Sequence, residues 1–320
     1  MNTIPLTFDE HQINRTVIGG RQNESAECLN ISVILLNSSG SHFKLQLFEN
    51  LLSCNFQTIV SIENDASNFS IEDVSKRFPT VKFIIPLEKA TDGEMINLAM
   101  SEIQSDYVLV IRDSLYIPGG LILPHLADRL LQDNPFCICP ILLDKNKSQI
   151  SMHCVPSAEK SHFVIDRSKQ ITDRMNTLYP FDYIALYNRK KFIRIGGFDY
   201  TIKSQYWQIL DFALRAWLWG EEIKLSTILS LSYLDEAPVE DKTVNLDYIR
   251  YFLKNELPVY KNEAACIPSV SFVKFLARSS CGYFEARRQF TDAKNWVKKN
   301  SVKFKMDLPT LVQDWNKTKK

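Results

Sequence analysis

Four short apolar runs set apart by segments of helical periodicity constrain this chain more than any other feature. Ile31-Ser-Val-Ile-Leu-Leu36, Thr58-Ile-Val-Ser-Ile62, Val81-Lys-Phe-Ile-Ile85 and Tyr107-Val-Leu-Val-Ile111 are rich in β-branched residues and end on polar or turn-forming ones. Between the first two, Phe43, Leu47, Leu51 and Leu52 recur at helical spacing, and 71–78 and 93–103 read as further helices. Near-continuous apolar strands alternating with helices predict a mostly parallel sheet covered on both faces, since such strands must be buried on both sides. Ligands of such sheets bind beyond the carboxyl ends of the strands, so 37–39, 63–68 and 112–114 are expected to border one crevice.

The chain before the first run carries Gly19-Gly20 and scattered polar groups without a sustained period, and reads as an arm. After Pro118-Gly-Gly120 a helix is expected over 121–131, then an apolar strand over Phe136 to Leu143. A polar stretch follows to about Asn176, of the kind that forms lids or acceptor loops. Tyr183 to Tyr187 reads as a strand, Lys190 to Ile195 as a helical turn, and Tyr206 to Trp219 as a helix closed by Gly220. Beyond Asp235 the pattern is mostly helical. The expected division is an arm over 1–29, an α/β domain over 30–235 and a helical extension over 236–320.

A chain of 320 residues with 45% hydrophobic and 23% charged residues can bury a large core, which excludes a disordered protein. Its net charge of +1 argues against a nucleic-acid-coating role. No run approaches the length of a membrane span and the start lacks a leader pattern, so a cytoplasmic protein is expected, with the inner membrane face as the place for any peripheral contact. Seven cysteines form no regular framework and fit reduced thiols. Cys137, Cys139 and Cys154 beside His153 invite a zinc reading, but strand alternation puts the first two on one face, as core residues. No phosphate-binding P-loop and no dinucleotide fingerprint follows the first strand.

Within 31–233 an ordered series of short motifs resembles the family 2 glycosyltransferases. Val33-Ile-Leu-Leu-Asn37 is similar to the family's first strand and polar turn, and Ile62-Glu-Asn-Asp-Ala-Ser-Asn68 to the acidic turn after its second. Gly93 with Asn97 is similar to its glycine-then-asparagine helix, and Asp106-Tyr-Val-Leu-Val-Ile111 to the strand leading to its metal site. Ile195-Gly-Gly-Phe-Asp199, Tyr206-Trp207 and Asp211-Phe-Ala-Leu-Arg215 with Gly220 are the longest stretch of likeness.

The resemblance implies a GT-A type, Rossmann-like α/β fold with a mixed, mostly parallel sheet flanked by helices. It implies transfer of a sugar from a nucleotide-diphosphate sugar to a glycan, lipid-linked or protein acceptor, as in making cell-envelope polysaccharide. Asn37, Glu63, Asp65, Gly93, Asn97 and Arg112 would then bind the donor, with Glu63 or Asp65 accepting hydrogen bonds from the base.

At two chemically demanding places the likeness breaks. The family's Asp-x-Asp pair, which carries a divalent metal (Mn or Mg), is Arg112-Asp113-Ser114 here. Three readings stay open: Asp113 as the metal ligand in a shifted register, Arg112 as the phosphate counter-charge, or a loop without a ligand role. Glu-Asp after the aromatic pair is replaced by Gln208-Ile209, which leaves Asp199 and Asp211 as candidates for the general base. The alternative to a transferase is a non-catalytic domain of the same fold that binds a sugar nucleotide or a protein partner.

In the extension, Phe272, Phe275, Leu276, Tyr283, Phe290 and Trp296 fall at near-helical spacing among Lys and Arg residues. Such a segment either docks its aromatic stripe on the domain or lies on an anionic membrane.

Overall fold

The computed structural model describes residues 11, 13–21, 28–37, 45–63, 71–160, 162–278 and 282–317. The predicted βα alternation is present: β1 (Arg15–Gly19), β2 (Ile31–Leu36), α1 (Leu45–Leu52), β3 (Ile59–Ile62), α2 (Ile71–Arg77), β4 (Val81–Pro86), α3 (Asp92–Ser101) and β5 (Tyr107–Arg112). Every residue of β2 and β3 is buried, as expected of strands covered on both faces. Next come β6 (Leu115–Tyr116), α4 (Pro124–Leu131), β7 (Cys137–Leu143) and a hairpin of β8 (His153–Glu159) and β9 (His162–Ser168). This hairpin occupies the stretch expected to be irregular. A 3-10 turn (Phe181–Tyr183) leads into β10 (Ala185–Asn188), α5 (Arg189–Ile195), α6 (Gln205–Leu218) and β11 (Ile223–Tyr233).

One nine-stranded sheet has the order β1-β4-β3-β2-β5-β10-β7-β11-β6. Strands β4, β3, β2 and β5 run parallel, and β7 and β11 are parallel to each other. Between these two groups β10 runs antiparallel to both β5 and β7. That reversal sets the site. Ala185 pairs with Val110, so the residues just before β10 pass the carboxyl end of β5, where Arg112 stands. The segment expected to be an arm supplies β1, paired antiparallel to β4 at the edge.

Helix α3 opens on a capping box in which Thr91 Oγ1 accepts from the Glu94 amide and Glu94 accepts from the Thr91 amide. Helix α6 is buried at every position except Gln205. At the end of α5, Gly196 (φ 104°) and Gly197 (φ 63°) both send amides to the Phe192 carbonyl, a left-handed ending that side chains with a Cβ resist.

Beyond the sheet, α7 (Leu246–Asn255), the ribbon β12 (Val259–Lys261) and β13 (Ala264–Cys266), α8 (Ser271–Arg278), α9 (Tyr283–Asn300) and α10 (Leu308–Lys317) complete the described chain. These helices share the core of the α/β part. Ala286, Phe290, Ala293, Val297 and Asn300 form the buried stripe of α9, and Trp315 meets Trp217 of α6 edge to face with centroids 4.6 Å apart. No described helix is long and apolar enough to cross a membrane.

The approach of α3 to α6 depends on Gly93. A Cβ there would lie 2.2 Å from Gln208 Oε1 and 2.8 Å from Phe198 Cβ, both in the interior. Gly93→Ala is expected to destabilise the protein by about 1–3 kcal/mol. Thermal denaturation checks this: the melting temperature should fall, and an unchanged value would mean that Gln208 can vacate the space.

Candidate functional site

Polar side chains gather where the parallel strands end. Asn37, just after β2, donates from Nδ2 to Ser61 Oγ at 2.8 Å, to the Ile62 carbonyl at 3.1 Å and to Glu63 Oε1 at 2.9 Å. Ser61 Oγ donates to the same Glu63 oxygen at 2.7 Å. Asp113, one residue beyond β5, is pinned by its amide to the Leu36 carbonyl and is only 3% exposed. Glu63 is 4% exposed. Burial pushes its carboxyl up to about 7; the Ser61 bond opposes this and the charge of nearby Asp113 adds to it.

Among the described residues, the protein's bonds to this carboxyl fall on Oε1. Oε2 is therefore the oxygen that can meet a ligand, accepting when ionised and donating when protonated. Asn37, Glu63 and Asp113, three of the residues singled out in the sequence, are thus together. Asp65 lies outside the described residues, in the segment that continues from Glu63.

Arg112 is held between two carboxylates. Its Nε donates to Asp182 Oδ1 at 2.7 Å, and its terminal amine donates to Asp92 Oδ2. Burial disfavours the guanidinium charge, but Asp182 and Asp92 more than offset this and hold its proton more tightly than usual. Asp182 also accepts from Gln205 and, at 3.0 Å, from the Tyr233 hydroxyl. Burial raises the Asp182 carboxyl above the ordinary range, with the Arg112 charge opposing. Asp182 (φ 53°) and Tyr183 (φ 63°) are consecutive left-handed residues that are not glycine, a conformation held at a cost of about 1–3 kcal/mol each.

Contacts of the remaining predicted residues lie inside the fold. Gly93 faces Gln208 and Phe198, as described above. Asn97 clasps the main chain of Phe198, donating to its carbonyl at 2.7 Å and accepting from its amide at 2.9 Å. Both residues brace α3 against the segment before α6, a use that differs from the donor contact expected of them. Gln208, where the family's acidic pair would begin, is fully buried; it accepts from the Tyr183 hydroxyl at 2.6 Å and donates to the carbonyls of Asp199 and Ile202.

Asp199 and Asp211, the candidates for the base, are both engaged inside the fold. Asp199 Oδ1 accepts from the amide and hydroxyl of Thr201, both at 2.8 Å, and Oδ2 pairs with Lys254 of α7. Burial alone would raise the Asp199 carboxyl, but Lys254 and Thr201 outweigh it and hold it below the usual carboxylate range. Asp211 pairs with Arg215 at 2.7 Å and with Lys254 at 3.1 Å, and accepts from Asn255 at 2.8 Å. Two carboxylates and two cations thus form a neutral network in the interior, which favours a structural role over proton transfer for both acids.

A divalent cation held by the protein needs several hard oxygen ligands. Asp113 and Glu63 are carboxylates near one another, and no group of three His, Cys, Asp or Glu side chains suited to a metal occurs among the described residues. Among the described residues, then, the chain does not by itself form a three-ligand cation site. Cys137 and Cys139 lie fully buried in β7, and burial pushes the Cys137 thiol up.

A pocket of about 200 Å³ opens beside the Arg112 clamp, lined by Phe181, Asp182, Gln205, Tyr206, Ile209 and Glu240 among others. Glu240 accepts from Tyr179 at 3.1 Å and is ion-paired with Arg167 of β9, which ties the hairpin to the pocket rim. Sequence reasoning missed Asp182 and Glu240. Asp182 sits in an unremarkable Pro-Phe-Asp-Tyr segment, and the reversal of β10 is what places it against Arg112.

No family model matches the chain, and no curated protein matches it. Solved structures do. A crystal structure of GalNAc-T7 with UDP, GalNAc and Mn2+ is similar over 88% of this chain at 10% identity and a TM-score of 0.55; this chain spans 59% of that one. The mannosyltransferase PcManGT from Pyrobaculum calidifontis, in complex with GDP-Man and Mn2+, is similar over 91% of this chain and 74% of its own, at 10% identity and a TM-score of 0.44. The likeness to GalNAc-T7 gives the fold: a GT-A-like, glycosyltransferase-like α/β architecture.

Removing Lys254 would leave Asp199 and Asp211 with Arg215 as their one remaining cation. Lys254→Met is expected to cost about 3–5 kcal/mol at neutral pH. Because Asp199 is held below its ordinary range, its pairing stabilises the fold above that range and is lost as pH falls through the depressed value. Urea unfolding should therefore show the deficit of the variant narrowing on acidification. A deficit that does not change with pH would contradict the ionic role.

Proposed function

We propose that the chain is a glycosyltransferase-like protein that takes a nucleotide-diphosphate sugar at the carboxyl edge of β2, β3 and β5. It passes the sugar to a hydroxyl of a glycan, lipid-linked or protein acceptor, in the manner of family 2 enzymes. The observation that carries this reading is the Asn37–Ser61–Glu63 constellation beside Asp113: buried, hydrogen-bonded polar groups at the strand ends of a GT-A-like fold. Glu63 Oε2 is the acceptor for a ring N–H of the nucleobase, and the side chain would meet it in the ionised form. Base recognition of this kind weakens as pH falls through about 7.

For the diphosphate, Arg112 takes the place of the cation. Asp92 is its more exposed partner, at 27% against 2% for Asp182, so phosphate oxygens would replace Asp92 while Asp182 keeps the guanidinium in position. The acceptor occupies the neighbouring pocket, where Asp182, Glu240 and Asp241 are the lining carboxylates that could receive a hydroxyl proton. Asp199 and Asp211 serve as structural acids in this account.

One observation favours a second reading, a non-catalytic domain binding a sugar nucleotide or a protein partner. Each carboxylate considered for the base already accepts at least one bond from another side chain of the chain. Titration calorimetry with nucleoside diphosphates and their sugars, followed by assay of diphosphate release with acceptor sugars, separates the two. Binding with release supports the transferase; binding without release supports the second reading.

Asp92→Asn removes the competitor for Arg112 and should tighten diphosphate binding about tenfold. Glu63→Ala should weaken nucleotide binding by a similar factor. Unchanged affinity in both variants would remove the site assignment.

A further inference from the structure

The docked C-terminal helices leave an apolar surface uncovered. Val270 is 81% exposed, Val273 of α8 72%, Phe284 of α9 84% and Tyr283 52%. Inward-facing Phe275 and Phe290 of the same hairpin are buried and stack with centroids 6.1 Å apart, while Tyr283 meets half-buried Phe272 at the edge, with centroids 6.0 Å apart. Val270, Val273 and Phe284 are therefore an outer set distinct from the docking stripe, with Tyr283 at the edge between the two.

Cations of α9 lie beside this set. Over 271–300 there are seven Lys and Arg against two Asp and Glu, a local charge of +5 in a chain whose total is +1, which leaves −4 for the rest. Phe284, Arg287, Thr291, Lys294 and Lys298 follow one another at helical spacing on α9, and each is exposed. That line borders α8, because Lys294 Nζ donates to Ser269 Oγ at 2.7 Å, beside Val270. Fully exposed valine and phenylalanine side chains interleaved with cations match an interfacial helix. The core of a protein-protein interface, by contrast, is depleted of charged residues. A second copy is disfavoured too, since two such faces would bring like charges together.

We propose that the outer face of α8 and α9 docks on an anionic lipid bilayer, with Val270, Val273, Tyr283 and Phe284 entering the headgroup boundary and the α9 cations lying over lipid phosphates. This goes beyond the sugar-nucleotide reading and does not rest on it. Apolar insertion supplies affinity for any bilayer, and the cations add selectivity for anionic lipid that weakens with salt.

The test is co-sedimentation of the full chain with vesicles of phosphatidylcholine alone and of an equimolar phosphatidylcholine–phosphatidylglycerol mixture. The protein should sediment with the mixture, stay largely free with phosphatidylcholine, and be released by added salt. Phe284→Ser, at a position too exposed to matter for folding, should lower partitioning about tenfold. Arg287→Ser should lower it about fivefold on the anionic vesicles alone. Circular dichroism confirms that both variants are folded. Absence of sedimentation with the mixture, equal sedimentation with both vesicles, or wild-type partitioning by Phe284→Ser would overturn the proposal. So would concentration-dependent dimerisation that Phe284→Ser abolishes without any vesicle binding, which would assign the face to a second copy.

Discussion

The guanidinium of Arg112, held between Asp92 and Asp182, is the interaction on which the arrangement of the site depends. It joins the end of β5 to the first turn of α3 and to the turn before β10, and through Asp182 it reaches Gln205 of α6 and Tyr233 of β11. Removing these groups from water is costly, and the contacts repay the cost only because nearly every bond of the buried carboxylate is satisfied. The left-handed backbone at Asp182 and Tyr183 fits the same account. Two strained residues persist where several partners over-determine their position.

Electrostatics divide the molecule into two layers. At the carboxyl ends of the strands, Asp92 and Asp182 hold the Arg112 guanidinium, while burial, with the charge of Asp113 adding to it, lifts Glu63 to about 7. On the far side of Gln208, the network of Asp199, Asp211, Arg215 and Lys254 is balanced and closed. Lys254 comes from α7, so the helical extension supplies a charge that the α/β part needs in its interior. In the proposed function the first layer exchanges a partner for a ligand. The second cannot do so without leaving a buried charge unpaired.

Much of the fold was legible because its signals are local. The strands at Ile31, Ile59, Val81 and Tyr107 declare themselves by β-branched runs, and Gly196-Gly197 by a turn that only left-handed backbone can make. Asn37, Glu63 and Asp113 were legible too, since strand ends in a parallel sheet are places for ligands. Partners were not legible. Arg112 reads as an open cation in sequence, yet its carboxylates lie 20 and 70 residues away. Lys254 stands 55 residues from Asp199. Gly93 and Asn97 read in sequence as donor-binding residues, but whether a small residue makes room for a ligand or for Gln208 depends on packing that spacing does not encode. The β8–β9 hairpin and edge strand β1 lacked the apolar alternation that marks half-buried strands.

In the function proposed above, the Arg112 guanidinium neutralises the diphosphate without a metal ion. Titration calorimetry of a bound nucleoside diphosphate in manganese and in chelator tests it most directly. The account predicts the same dissociation constant in both, with affinity lost in Arg112→Met. Binding that appears only with manganese and survives Arg112→Met would contradict it.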